Sequence, residues 1–301
     1  MKKIKIAFFG SHNFARKILE NLIKNNNFDI AFVVTQTDKP IGRKQELQKT
    51  PIKILAEKNN INVYDPKNLK NFEMPEKIDI AITAQYGLLI PKKILDFPKH
   101  GILNIHTSLL PKYRGASPIQ SALLNNEKET GITIMKMDVG LDTGNILKQK
   151  TIKIHTNDTY FDLDNKLADL ANIFLEKTIF DYTAEKIKEI VQNNKKASFC
   201  RELDRNDGKI DFNIEDSKTI YNKYRAYNPW PGIWTIWGGK RLKLLKVKTS
   251  QEKIKTGQIK IINNNLFIGT LDFAIEILEL QLEGKKSMDA HTFINGYKNL
   301  I

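Results

Sequence analysis

Asn104 and His106 stand two residues apart at the end of the apolar run Gly101-Ile-Leu-Asn-Ile-His106. In a strand, residues i and i+2 point the same way, so the amide and the imidazole project together. That pair suits two jobs: stabilising an oxygen that gains negative charge, and moving a proton. It equally suits a capped strand end with a satisfied histidine. Asp142, in Met137-Asp-Val-Gly-Leu-Asp-Thr-Gly144, is far enough along the chain to return beside His106 across a sheet. Gly140 and Gly144 permit a tight loop around it. A carboxylate beside an imidazole favours the protonated ring and fixes its orientation. The other reading of Asp142 is a solvated turn residue. A third segment, Ala84-Gln-Tyr-Gly-Leu-Leu-Ile90, offers Leu88, Leu89 and Ile90 as an apolar slot. Its backbone amides and carbonyls suit the edge of a flat heterocycle, while the same side chains also suit a core. These segments pair no Ser or Cys with a second base, so no side-chain nucleophile emerges.

Such residues need elements that bring them to one place. Strands are predicted at Ile4–Phe9, Ile30–Val34, Asp79–Ala84 and the run ending at His106. The segment Asn13-Phe-Ala-Arg-Lys-Ile-Leu-Glu-Asn-Leu-Ile-Lys-Asn25 sets Phe14, Ile18, Leu22 and Ile23 on one helical face. Another helix follows Pro51. This βαβα order implies a mostly parallel, Rossmann-like sheet with helices on both faces. Ligands bind such sheets at the carboxyl ends of the strands. Thr35–Pro51, polar with two prolines and a glycine, reads as a mobile loop. Thr130–Met137 and Ile146–Ile154 read as later strands, and Thr159–Ile190 as one long helix. After about Phe199 the pattern changes to one helix, a Pro-rich corner at Asn228–Gly232, and alternating strands turning at Gly238-Gly239. The predicted organisation is α/β over residues 1–200, then a smaller β-barrel over 207–301.

Composition bounds the function classes. The chain has 301 residues, 41% hydrophobic and 27% charged, ordinary for two soluble domains. The opening Ile-Lys-Ile-Ala-Phe-Phe-Gly run is too short for a signal peptide or a membrane span, so a cytoplasmic protein without a membrane partner is expected. One cysteine, Cys200, excludes an internal disulfide. No Cys/His cluster has zinc spacing, and no metal is expected. Gly10 lacks a Gly-x-Gly-x-x-Gly context, so no dinucleotide site is inferred. The net charge of +14 fits a polyanionic partner. Runs such as Asn25–Asn27 and Asn263–Asn265 also fit a nucleotide bias of the genome. Local clustering says more. Lys240, Arg241, Lys243, Lys246, Lys248, Lys253, Lys255 and Lys260 crowd one stretch, opposed within it only by Glu252. Arg241, Lys243 and Lys246 could track phosphates along a strand, or form a solvated barrel face.

Together these segments resemble the methionyl-tRNA formyltransferase family, among the enzymes that use 10-formyltetrahydrofolate. Asn104-Ile-His-Thr-Ser-Leu-Leu-Pro111 is similar to its Asn-x-His-x-Ser-Leu-Leu-Pro signature, and Glu129–Gly144 to its second one. Asn228–Gly232 and Leu280–Tyr297 are similar to its second domain. The resemblance implies that Asn104, His106 and Asp142 form a catalytic trio. The trio would pass the formyl group of 10-formyltetrahydrofolate to the methionine amine of initiator methionyl-tRNA. It implies that Tyr86, Gly87, Leu88, Leu89 and Ile90 hold the pterin, largely through backbone groups. Ser108, Leu109, Leu110, Pro111 and Val139 would line the rest of the folate site. Arg43, with Lys44, would touch the acceptor stem of the tRNA. Arg241, Lys243 and Lys246 would lie along it on an OB-like barrel, and the protein would act as a monomer. Four places depart from the family pattern. Thr107 replaces a glycine, Lys112-Tyr113 an Arg-Trp, Ser11-His12-Asn13 a more usual turn, and Gly42-Arg43-Lys44-Gln45-Glu46 a Gly-Arg-Gly loop. A formyltransferase acting on a nucleotide-linked amino sugar would share the trio. The glycinamide ribonucleotide enzyme would not need the last hundred residues. A non-catalytic RNA-binding protein would leave the trio unexplained.

Overall fold

Strand β1 (Ile4–Gly10) buries Ile6, Ala7, Phe8 and Phe9 completely, so both of its faces are covered. That is the environment of a parallel strand between two helical layers. Helix α1 (Asn13–Lys24) follows, burying Phe14, Ala15, Ile18, Leu19 and Leu22 at helical spacing. The structure, a computed structural model, describes residues 3–41 and 45–297. Gly42, Arg43 and Lys44 lie outside the described residues. Next come β2 (Phe28–Val34), the short β3 (Lys39–Ile41) and β4 (Glu46–Gln48), α2 (Pro51–Lys58), β5 (Asn62–Tyr64), β6 (Ile80–Ala84) and α3 (Lys92–Leu95). They are followed by β7 (Ile102–His106), β8 (Arg114–Gly115), α4 (Pro118–Leu124), β9 (Glu129–Lys136), β10 (Ile146–Lys153), α5 (Tyr160–Thr183) and β11 (Phe199–Cys200).

The main sheet has the order β10-β9-β7-β6-β1-β2-β5. Strands β5, β2, β1, β6 and β7 are parallel; β9 and β10 are antiparallel additions at one edge. From β1 the chain moves out to β2 and β5, then returns to β6 and β7 on the other side. The order reverses between β1 and β6, and a crevice opens there at the carboxyl ends. Polar side chains stitch it. The carbonyl of Tyr86 accepts from Ser11 Oγ at 3.2 Å and from Gln36 Nε2 at 2.7 Å. The backbone N–H of Gln36 in turn donates to Ser11 Oγ at 3.2 Å.

Three details differ from the sequence reading. The stretch expected as a mobile loop contains the antiparallel pair β3–β4, which satisfies its own backbone groups. Its base is pinned where Lys53 Nζ reaches Asp38 and Asp65, at 3.1 and 2.8 Å. Strand β5 is three residues long, too short to show a period. Helix α5 stops at Thr183 instead of reaching Ile190. Glu185 turns left-handed at φ 57°, with Glu185 N–H donating to Tyr182 O and Lys186 N–H to Asp181 O. This is a Schellman cap built without glycine. Ile190 then exchanges both backbone bonds with Ile146, at 2.8 and 2.9 Å.

The chain packs as two compact units. One comprises Met1–Pro118, Glu129–Lys153 and Asp164–Cys200; the other comprises Ile119–Lys128, Ile154–Leu163 and Arg201–Ile301. The second holds α6 (Ser217–Tyr227), β12 (Ile233–Trp237), β13 (Lys240–Thr249), β14 (Ile259–Ile262), β15 (Asn265–Gly269), β16 (Ala274–Leu282), β17 (Met288–Asp289) and α7 (Ala290–Tyr297). Its sheet is antiparallel, in the order β12-β13-β16-β15-β14, with β17 beside β16. Buried Arg225 explains why a distant segment joins this unit. Its Nη1 donates to the carbonyls of His155 and Thr156, at 3.2 and 3.0 Å, and its Nη2 to Asn222 Oδ1 at 2.9 Å. The α/β unit followed by a smaller antiparallel β unit is the fold class the sequence implied.

Tyr86 packs edge-on against Phe9, with ring centroids 5.5 Å apart. Its hydroxyl is buried and finds no partner among the described residues. Burial pushes the phenol pKa up. A buried hydroxyl left without a bond costs about 1–3 kcal/mol. Tyr86→Phe keeps the ring and removes that cost. Urea unfolding should therefore show stability unchanged or raised by about 1 kcal/mol. A loss of that size would mean that the hydroxyl has a partner.

Candidate active site

The site grows from the end of β7. Asn104 pairs in register with Thr83 of β6 and Met135 of β9, and His106 with Thr133 of β9. Leu103 and Ile105 are buried on the opposite face, which leaves Asn104 and His106 to project together. The chain then folds back over β9. Thr133 Oγ1 donates to Ser108 O at 2.6 Å and accepts from Leu110 N–H at 3.1 Å. Ser108 Oγ donates to Lys112 O at 2.6 Å, and Leu110 packs on Met135 and Ile146.

Asp142 arrives by a different route. Strand β9 runs antiparallel to β7, so its far end lies beside the start of β7, where Met137 N–H donates to Ile102 O at 2.8 Å. The connection to β10 must climb back toward the site. Asp138 Oδ1 holds its base, accepting from Gly140 N–H and Thr143 Oγ1 at 3.0 and 2.6 Å. Gly144 is required by close approach, since a Cβ there would lie 1.8 Å from Lys136 O. The left-handed residue of this loop is Asp142 itself, at φ 51°. The turn expected of the glycines therefore falls on Asp142.

The Asp142 carboxylate draws the elements together. Oδ1 accepts from Asn104 Nδ2 at 3.3 Å, and Oδ2 accepts from the Gly115 N–H at 2.8 Å. Oδ2 also lies 3.6 Å from His106 Nδ1. The other ring nitrogen, Nε2, is 2.9 Å from Tyr113 O. A carbonyl only accepts, so Nε2 carries the proton and Nδ1 is turned to the carboxylate. The histidine is 6% exposed.

Behind this trio sits a second polar layer that sequence reasoning passed over. Arg114, 3% exposed, donates from Nε and Nη2 to Gln192 Oε1 at 3.1 and 2.8 Å. Its Nη2 also reaches Asn194 Oδ1 at 2.8 Å. Gln192 Nε2 donates to the carbonyls of Asp142 and Gly144, at 2.8 and 2.7 Å. The only sequence signal was Arg114, an arginine inside the Tyr-Arg-Gly that follows the strand end.

The other predicted residues separate. Tyr86 and Ile90 belong to the core, half-buried Leu88 packs against it, and Gly87 is left-handed at φ 79°. The expected three-residue slot is thus reduced, and only Leu89 stands free, at 85% exposure. Leu109 and Pro111 are half-buried. Val139 is 71% exposed, and its loop neighbour Leu141 is also exposed. In the second unit the Arg241 guanidinium stacks over the Trp234 ring at 4.1 Å. Lys243 and Lys246 are exposed on β13. Lys246 stands opposite Glu279 and Lys248 opposite Glu276 across the β13–β16 ladder. The basic run is therefore answered from a neighbouring strand, which a count along the chain does not see. A cavity of about 430 Å³ lies at the other end of the main sheet. Lys99, His100 and Gly101 line it with Lys136, Tyr182 and Glu189, away from the trio.

The chain as a whole is similar to known proteins. Residues 2–179 match the formyl transferase family model, and residues 202–298 match the model of the formyl transferase C-terminal domain. The chain is 42% identical to a methionyl-tRNA formyltransferase of Caldicellulosiruptor saccharolyticus, over 97% of each chain. It is 38% identical to one from Halalkalibacterium halodurans, over 97% of this chain and 95% of the relative. A solved sugar 3N-formyl transferase, with dTDP and 5-N-formyl-THF present, aligns with a TM-score of 0.69 at 28% identity, over 95% of this chain and 100% of that one. An N-formyltransferase from Helicobacter canadensis, in complex with folinic acid and dTDP-3-aminofucose, aligns with a TM-score of 0.67 at 26% identity, over 92% and 99%.

Gly115 holds the carboxylate from a position only glycine fits. Its φ is 117°, and a Cβ would lie 2.1 Å from Cys200 O in the paired strand β11. Gly115→Ala should destabilise the protein by about 2 kcal/mol or more in urea unfolding. Unchanged stability would contradict the close β8–β11 approach.

Proposed function

The chain belongs to the formyl transferase family, and we propose that it transfers the formyl group of 10-formyltetrahydrofolate to the methionine amine of initiator methionyl-tRNA. The observation that carries this acceptor is the 42% identity to a methionyl-tRNA formyltransferase over 97% of both chains. The folate supplies an electrophilic formyl carbon; the amine attacks it, and the adduct collapses as the bond to N10 breaks and tetrahydrofolate leaves. Asn104 Nδ2 has two hydrogens; one goes to Asp142, and the other is offered to the formyl oxygen as it gains negative charge. His106, its Nε2–H held by Tyr113 O, turns Nδ1 toward Asp142 Oδ2, and this pair takes the proton that the attacking amine sheds and returns one to the folate N10 as it leaves. A donor such as the Asn104 amide is worth roughly 2.7–4 kcal/mol at acyl-transfer sites. Exposed Leu89, Val139 and Leu141, on loops flanking the trio, suit the flat faces of a folate. The Ser108–Pro111 loop and the backbone of Tyr86–Ile90 complete its site. All three reacting side chains come from one chain, so a monomer suffices.

Residues 1–200 carry the reaction in this reading, and residues 207–301 bind the tRNA. Arg241 is held ready by Trp234, and Lys243 faces neutral Gln281 across the ladder. Both should contribute more than Lys246, which faces Glu279. Arg43 and Lys44 belong to the same proposal on sequence grounds. Among the described residues no helix is long and apolar enough to cross a membrane. With a tRNA acceptor, the reaction is assigned to the cytoplasm in this reading.

The sugar-nucleotide enzymes aligned above, at 26–28% identity, supply the second reading. One assay separates the two. Purified protein and 10-formyltetrahydrofolate are given methionylated initiator tRNA or an amino-sugar nucleotide, at rising salt. Formylation of the tRNA should dominate. Its binding should weaken with salt by a log–log slope of about −0.9 per neutralised phosphate on duplex. Formylation of the sugar alone would overturn the proposal.

His106→Ala and Asp142→Asn should each lower the single-turnover rate by about a hundred-fold or more, with little change in folate affinity. Rates within a few-fold of wild type would remove these residues from the mechanism.

A further inference from the structure

Within the loop that delivers Asp142, Asp138 Oδ1 holds Gly140 N–H and Thr143 Oγ1. Its crest residues Val139 and Leu141 are exposed, so packing does not fix the turn. Asp142 also adopts a left-handed backbone, which an L-residue other than glycine takes up only against a cost. Bonds from outside the loop also reach this turn.

We infer that Arg114 and Gln192 are positioning residues that set the Asp142 turn and, through it, the carboxylate facing Asn104 and His106. The Gln192 amide donates to the carbonyls of both Asp142 and Gly144, so it grips the turn on either side of Thr143. Which way that amide faces is decided by Arg114. Both guanidinium contacts go to the same oxygen, Oε1. A flipped amide would set its NH₂ against the guanidinium and its oxygen against two carbonyls, losing every bond at once. Arg114 thus leaves Nε2 one direction, toward the loop. The neighbouring Gly115 N–H holds Oδ2 of the same aspartate. Two adjacent residues of β8 therefore fix Asp142 from both ends: Gly115 at the carboxylate, and Arg114, through Gln192, at the backbone. Gln192 is itself anchored two residues after Ile190, whose paired backbone bonds tie it to Ile146 at the start of β10. Arg114 and Gln192 are both buried, so the arrangement is built into the interior.

The inference rests on the assignment of Asp142 to the reaction, and a double-mutant cycle in the full-length protein tests it. Gln192→Glu keeps an acceptor for Arg114 and deletes both N–H donors. Gln192→Met, neutral and of similar length, replaces it if the glutamate variant does not fold. The acceptor substrate is methionyl-tRNA, or the amino-sugar nucleotide if that is what the wild type formylates, so an error about the acceptor leaves the test intact. In the wild-type background the single-turnover rate should fall by about ten-fold or more, with KM for the folate within about three-fold. In the Asp142→Asn background the same substitution should change the rate by less than about two-fold, because the residue it positions is already disabled. Equal factors in the two backgrounds would overturn the inference, as would a loss confined to KM. A wild-type rate for Gln192→Glu beside a crippled Asp142→Asn would overturn this inference alone. A wild-type rate for Asp142→Asn would overturn the assignment of Asp142 together with it.

Discussion

One carboxylate organises this site. Asp142 accepts from Asn104 with one oxygen and from the Gly115 N–H with the other, and the second oxygen also faces His106. A half-buried carboxylate is stabilised where such partners replace lost water. Here the partners belong to two separate strand ends, so the bonds that satisfy the charge also assemble the trio.

The sheet topology makes this meeting possible. The parallel strands β1, β6 and β7 deliver their carboxyl ends to one edge, where the order reversal opens a crevice. Antiparallel β9 carries the chain away from that edge, so Asp142 can return only through the Met137–Asn145 connection. That return explains the tight approach at Gly144 and the left-handed turn at Asp142. The cavity around Lys136 and Glu189 lies at the opposite end of the sheet, apart from Asn104, His106 and Asp142. The fold brings Asn104, His106 and Asp142 together.

Much of this was legible in the sequence, for local reasons. The projection of Asn104 and His106 follows from the two-residue period of a strand, and α1 announced itself by its apolar spacing. Asp142 was legible as a participant, but the turn was credited to its glycines. What escaped reading depends on partners distant in the chain. Gln192 lies in a segment without periodicity, and its role exists only because Arg114 meets it. Glu276 and Glu279 temper the basic run of β13 from another strand. The end of α5 at Thr183 needed a Schellman cap that no glycine marked. Ile90 belongs to the core cluster and Leu88 packs against it, while Leu89 between them is exposed.

The central claim is that the reacting carbonyl lies at the Asn104–His106–Asp142 meeting point. A crystal structure with a stable analogue of 10-formyltetrahydrofolate tests it most directly. The account predicts the formyl oxygen about 2.7–3.2 Å from Asn104 Nδ2, on the side away from Asp142. A formyl group bound elsewhere, for instance in the cavity around Lys136 and Glu189, would contradict it.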